Sequence, residues 1–324
     1  MQGTLTVDGA TSPATREAIE QRVASGGFLW LDLDGVDDEA HDLLLNVFKV
    51  HQLAVEDAQK FGQRPKLEDY ADFMYMVVYG ASTDQTATTE VHFIFADHFV
   101  VTVHHGSCGA LNDVRARIGH RKASEVESPQ IVLIYLVIDQ LVDSFFPVLN
   151  QFDNQIDDLE DAILVKPTEA QLGTLFAMKR SLITIRKVVT PQRDMFASIS
   201  SGVTDLPGVT DDGLRYMRDI YDHLIRISDL IDGYRDLLSG AMDTHLSTVS
   251  NRLNVVMKQL TIIATVFLPL SFLTGFFGQN FSWLIARIQG WWPFAIFGLG
   301  LELLSAIGLL YLFRKRGWLG GPTN

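Results

Sequence analysis

The chain has 324 residues, 47% of them hydrophobic, and 26 Lys/Arg against 39 Asp/Glu give it a net charge of −13. That length allows two domains, or one domain and an attachment. The acidic balance disfavours nucleic acid and attracts cations, or simply keeps the body soluble, and a single cysteine, Cys108, excludes a disulfide framework or a thiolate metal cluster within one chain.

The first 25 residues contain no apolar core segment, so the bulk of the chain is expected to stay on the side of the membrane where it is made. Residues 1–128 read as a mixed α/β domain. "GGFLWLDLDG" (26–35) alternates like a strand, and "DDEAHDLLLNVFKV" (37–50) has helical spacing opened by Asp37 and Asp38. "FMYMVVYGAS" (73–82) and "EVHFIFADHFVVTVHH" (90–105) are β-branched and aromatic; the second folds back at Ala96-Asp97 as a hairpin. "ALNDVRARIGH" (110–120) predicts a helix. His104 and His105 are adjacent on a strand and point to opposite faces, which argues against a shared metal.

From Pro129 the pattern turns helical, and residues 129–258 read as a helical stalk. One helix is expected from about 130 to 165, with the acidic run "DNQIDDLEDA" (153–162) near its end. Pro167 and Thr168 start the next, which reaches about residue 200 and meets Pro191 on the way. "SGVTDLPG" (201–208) is the clearest loop. Residues 212–281 then read as one helix of roughly 105 Å at 1.5 Å per residue. A helix that long cannot bury its stripe against its own chain, so an oligomer is expected.

No charge interrupts Gln259–Phe281, and Glu302 alone interrupts Trp291–Phe313. Each run exceeds the roughly 20 residues that cross a bilayer. The reading is two spans, 259–281 and 291–313, joined by a loop at 282–290 and followed by a basic tail at 314–324. Arg252 and Lys258 precede the first span and Arg314, Lys315 and Arg316 follow the second, while the link carries only Arg287. The positive-inside rule then places both termini in the cytoplasm. Trp283, Trp291 and Trp292 mark the outer interface. Residues 1–258 carry 22 Lys/Arg and 38 Asp/Glu, a net −16, and the remainder four and one, +3.

These residues resemble the CorA family of two-span divalent metal-ion transporters, including its ZntB-like branch. The resemblance runs through "VHQLAVEDAQKFGQRPKLEDYADFMYMVVY" (50–79), "MKRSLITIRKVVTPQRDMF" (178–196), "RDIYDH" (218–223) continuing to "TGFFGQNF" (274–281), and "FRKRGWL" (313–319). It implies an α+β membrane protein: a cytoplasmic mixed α/β domain, long stalk helices and two C-terminal transmembrane helices in a funnel-shaped homopentamer of the bacterial-type inner membrane. It also implies hydrated Mg²⁺, Co²⁺ or Ni²⁺ as the cargo. The family signature Tyr-Gly-Met-Asn reads Phe277-Gly278-Gln279-Asn280 here, and the following loop carries no acid. That departure keeps two alternatives open, a ZntB-like Zn²⁺ transporter, with or without proton coupling, and a non-conducting scaffold or sensor on the same fold.

Gly278, Gln279 and Asn280 form the expected selectivity filter. Five Asn280 carbonyls around an axis would accept the hydrogens of a hydrated cation, and Gly278 would let backbone carbonyls approach it. The same residues also suit a helix C-cap. Below them, Asn254, Met257, Thr261, Ala264, Leu268, Ser271 and Gly275 share one helical face. The resemblance assigns that face to the pore, with Met257 and Leu268 as apolar collars; a helix-packing face is the alternative. Zn²⁺ favours Cys, His and carboxylate, and this face has none.

Arg287 would either repel divalent ions at the mouth or pair locally. Glu302 would be a proton-linked site or a polar contact between helices. Asp219 matches a family position that holds a regulatory divalent cation, with Asp84 its candidate partner from the N-terminal domain; a solvated helix residue is the alternative for Asp219. No Walker loop, HExxH, CxxC pair or nucleophile elbow occurs, so an enzyme is not expected.

Overall fold

Asp8 and Gly9 both take positive φ, 50° and 81°, and close a two-residue turn between the first two strands. A right-handed twist favours this turn geometry in hairpins, and Asp-Gly is its common sequence. The structure is a computed structural model that describes residues 1–82, 88–118, 129–279, 281–287 and 290–318. It divides into two units, Met1–Met242 and Asp243–Asn324.

The first unit holds a seven-stranded sheet. Its strands are β1 (Gly3–Val7), β2 (Ala10–Pro13), β3 (Leu29–Asp34), β4 (Lys66–Asp69), β5 (Met74–Ala81), β6 (Thr88–Ala96) and β7 (Phe99–His104). The order is β2-β1-β3-β7-β6-β5-β4; β3 and β7 run parallel and every other pair antiparallel. The β6–β7 hairpin turns at Asp97-His98.

Helices α1 (Arg16–Ala24), α2 (Asp38–Asn46) and α3 (Gln52–Gln59) supply one side of the core, and α4 (Gly109–Ile118), α5 (Pro129–Asp143), α6 (Phe145–Val165) and α7 (Glu169–Ser200) supply the other. The strands read as unbroken apolar runs because both faces are covered. In β5, Met74, Met76 and Val78 pack with α5 to α7, while Tyr75, Val77 and Tyr79 pack with α1 to α3. Each such large side chain, fully buried, contributes about 1.5–3 kcal/mol. Asp37 caps α2 by accepting from Ala40 N at 2.9 Å. Thr168 and Gln171 form a reciprocal capping box at the start of α7.

The expected single helix over 130–165 is two, separated at Ser144. Pro147 explains the break. It has no N–H, and its ring collides with the carbonyl four residues back, that of Asp143. Pro191 lies inside α7, which continues through it.

Helix α8 (Asp211–Phe277, 67 residues) has residues in both units. It stops at Phe277, not at the expected 281. A short helix α9 (Ser282–Arg287) occupies part of the expected loop. The second apolar run comprises α10 (Trp291–Pro293), a π-helical stretch (Phe294–Gly300) and α11 (Leu301–Lys315). Three helical stretches among the described residues are long and apolar enough to cross a membrane: 129–165, α8 and 291–315. The first is half-buried inside its own unit, as a core helix would be, whereas the apolar windows of the other two are almost uncovered.

Candidate functional site

Two helices of the first unit bring donors together by their periodicity. Tyr135, Asp139 and Asp143 stand at four-residue steps on α5, and Asp219 and His223 stand one turn apart on α8. The ladders meet. Tyr135 donates its hydroxyl to Asp219 Oδ2 at 2.9 Å. His223 Nδ1 lies 2.9 Å from Asp143 Oδ1 and 3.6 Å from Asp139 Oδ1. One donor atom from each of Asp139, Asp143 and His223 falls within 4.8 Å of the others. Phe146 meets the His223 ring edge-on at 5.9 Å.

Burial, and then the neighbouring Asp143 charge, push the Asp139 carboxyl above its ordinary value. Burial and donation to Asp219 push the Tyr135 hydroxyl up as well. The two carboxylates repel each other when both are charged. A divalent cation removes that repulsion, and this oxygen and nitrogen set suits Zn²⁺, Co²⁺ or Ni²⁺ as well as harder ions.

Asp219 therefore joins the cluster through Tyr135. Asp84, its expected partner, lies outside the described residues. Asp139, Asp143 and His223 were missed from the sequence, although the Asp-x-x-x-Asp and Asp-x-x-x-His spacings on two helices were a readable signal. His104 and His105 do not share a site. His104 Nε2 faces Asp32 at 3.4 Å, while the His105 ring packs on Phe61 at 4.9 Å.

In the second unit, Gly278 N donates to Thr274 O at 2.8 Å and Gln279 N to Phe276 O at 3.3 Å, a last tight turn on α8. Gly278 is not left-handed, so it does not serve as a left-handed helix cap. A Cβ there would lie 2.9 Å from Thr274 O. Asn280 lies outside the described residues. Asn254, Met257, Thr261, Ala264, Leu268, Ser271 and Gly275 are all exposed, whereas Ile262, Thr265, Val266, Pro269, Leu270, Leu273 and Phe277 are partly covered. Arg287 lies over the Trp283 ring at 5.5 Å, a local pairing. Glu302, the second residue of α11, lies 2.7 Å from the Thr274 hydroxyl.

The family described as "CorA-like Mg2+ transporter protein" matches residues 25–315. The chain belongs to the CorA family. The cobalt/magnesium transport protein CorA of Thermotoga maritima is 31% identical over 297 residues, covering 90% of this chain and 83% of the relative. The zinc transport protein ZntB of Yersinia enterocolitica is 26% identical over 296 residues, covering 90% and 88%. The complete structure of the CorA magnesium transporter from Methanocaldococcus jannaschii superposes with a TM-score of 0.84 at 21% identity, covering 98% of this chain and 99% of that one, which shows the same fold.

As a CorA-family protein, the chain is a divalent metal transporter with C-terminal membrane-spanning helices, and is not an enzyme. CorA membership accounts for the sheet domain, the long α8 and the pair of apolar helices as one architecture.

Proposed function

We propose that this CorA-family chain carries hydrated Mg²⁺, Co²⁺ or Ni²⁺ through a homopentameric pore in the cytoplasmic membrane, with both termini in the cytoplasm. Gly278, Gln279 and Asn280 guard the entrance, and Asn254, Met257, Thr261, Ala264, Leu268, Ser271 and Gly275 line the path. One observation carries this reading. The exposed face of the first span is neutral and carries no Cys, His or carboxylate, while the opposite face is the partly covered one. Such a lining suits an ion that keeps its water, because Mg²⁺ dehydrates reluctantly and conduction needs weak contacts. A potential of 100 mV drives entry by about 2.3 kcal/mol per charge, twice that for a divalent ion.

Asp139, Asp143 and His223, with Asp219 beside them, act in this reading as a cytoplasmic sensor that binds the ion after passage. Asp84 is the proposed contribution of the N-terminal domain to that sensor. A loaded sensor and an empty one differ in charge and rigidity, so ion level is linked to gating.

Uptake into liposomes tests the reading across Mg²⁺, Co²⁺, Ni²⁺ and Zn²⁺. Wild type is expected to take up at least one of the first three, Asn280→Ala to alter the ranking among ions, and His223→Ala to weaken inhibition by internal ion. Uptake confined to Zn²⁺ would replace the proposal with the zinc reading, for which the ZntB relative and the Asp/His cluster speak. No uptake of any ion would replace it with a scaffold or sensor.

A further inference from the structure

Glu302 is the only charged residue between Trp291 and Phe313, and Gln259–Phe281 has none. Its Oε1 lies 2.7 Å from Thr274 Oγ1, and that same Oγ1 lies 2.8 Å from the Leu270 carbonyl oxygen. Both separations are ordinary for O–H···O bonds. A threonine hydroxyl has one proton, and an ionised carboxylate only accepts. With Glu302 ionised, Thr274 can satisfy the carboxylate or the carbonyl, and the remaining pair of oxygens faces lone pair to lone pair. With a proton on Oε1, both bonds form: Glu302 donates to Thr274, and Thr274 donates to Leu270.

The surroundings favour the second arrangement. The first span supplies no titratable group between Gln259 and Phe281, so no cation balances a carboxylate there. On its own helix the next titratable groups are Tyr311, then Arg314 and Lys315, more than two turns away. An ionised acid inside a span costs about 2.5–3.5 kcal/mol on insertion scales. The π-helical stretch Phe294–Gly300 ends directly before this turn, and π-turns are retained mostly where a site needs them.

We propose that Glu302 and Thr274 form a proton-binding site between the two spans. Protonated, the site is a closed relay, Glu302 to Thr274 to the Leu270 carbonyl. When the proton leaves to water, the Thr274 hydroxyl turns to the carboxylate and Leu270 loses its side-chain donor. Thr274 is adjacent to Gly275, so the change reaches the residue next to the proposed ion path. That last link rests on the pore reading above; the proton site does not.

Infrared spectra of the full chain in liposomes test the site without any transport. At pH 7 wild type is expected to show the carbonyl band of a neutral carboxylic acid that Glu302→Gln lacks. Thr274→Val shifts that band by removing its partner, and Thr274→Ser restores the position. The same absence of a neutral-acid band at pH 7 in wild type and Glu302→Gln overturns the proposal, as does a band indifferent to Thr274→Val. Ion uptake under an imposed pH gradient supplies the second arm. Gradient dependence present in wild type and lost in Glu302→Gln supports coupling, and dependence that survives the substitution overturns it. If no variant takes up any ion, the pore reading fails while the infrared result still decides the site.

Discussion

Glu90 is a buried carboxylate surrounded by donors. It accepts from Gly62 N at 2.5 Å and Gln63 N at 2.9 Å, and His92 Nε2 lies 2.9 Å away. His92 in turn lies 2.6 Å from the Tyr75 hydroxyl. Burial alone would push the Glu90 carboxyl up, but the bonds from His92 and Gly62 outweigh it and hold the group below the ordinary 4.5. The folded chain therefore favours the ionised form more than the unfolded chain does. The stability this supplies is complete above the ordinary glutamate range and is lost as pH falls through the depressed native value. Glu90→Gln is expected to cost about 1–3 kcal/mol at neutral pH, because it strands buried donors. The gap to wild type narrows in acid, as wild type loses its own advantage. Thermal unfolding in detergent over a pH series checks this; a gap that widens towards low pH refutes the assignment.

At the scale of elements, a tight junction lies where β5 crosses α5. A Cβ on Gly80 would lie 2.7 Å from Leu141 O and 2.9 Å from Ser144 Oγ. Ser144 Oγ already accepts from Ala81 N at 2.7 Å and donates to Leu141 O at 2.5 Å, so it cannot retreat without breaking the junction. Gly80→Ala is expected to destabilise by about 1–3 kcal/mol through overpacking, read as a lowered melting temperature. Gly173→Ala, with open space at the site, is the matched control. An unshifted melt for Gly80→Ala would mean that the strand and helix are not in contact.

This junction also shows what the sequence could and could not reveal. The apolar strand 73–82 was legible from its composition, and the helices from their period. The break at Ser144 was hidden because Pro147 sits three residues beyond it. β1 and β2 went unread because they are short and polar, although Asp8-Gly9 was a hairpin signal. At the site, Asp219 was reached through the resemblance. Asp139, Asp143 and His223 were not, because the pairing of two distant helices is a tertiary fact that spacing within each can only suggest.

For the whole molecule, the uncovered surface of the membrane-spanning helices has to meet something. Leu268, Phe272 and Leu304 are each about 70% exposed in the single chain. Lipid can cover an apolar face at no loss, but it leaves Ser271, Gly275 and Asn254 with no reason to share one side of the helix. A central aqueous axis gives them one. If copies of the chain surround that axis, residue 271 of each stands close to residue 271 of its neighbours, while residue 304 on the second span faces outward. The prediction uses a background in which the buried native thiol is removed by Cys108→Ala. Ser271→Cys in membranes, treated with a short bifunctional maleimide, is expected to give linked pairs, the most that one thiol per chain allows, and the intact assembly is expected to weigh five chains by native mass spectrometry. Leu304→Cys is expected to stay monomeric under the same treatment. An intact mass of two chains would make the assembly a dimer without a central axis, and equal cross-linking from both positions would mean that the exposed neutral face does not turn inward.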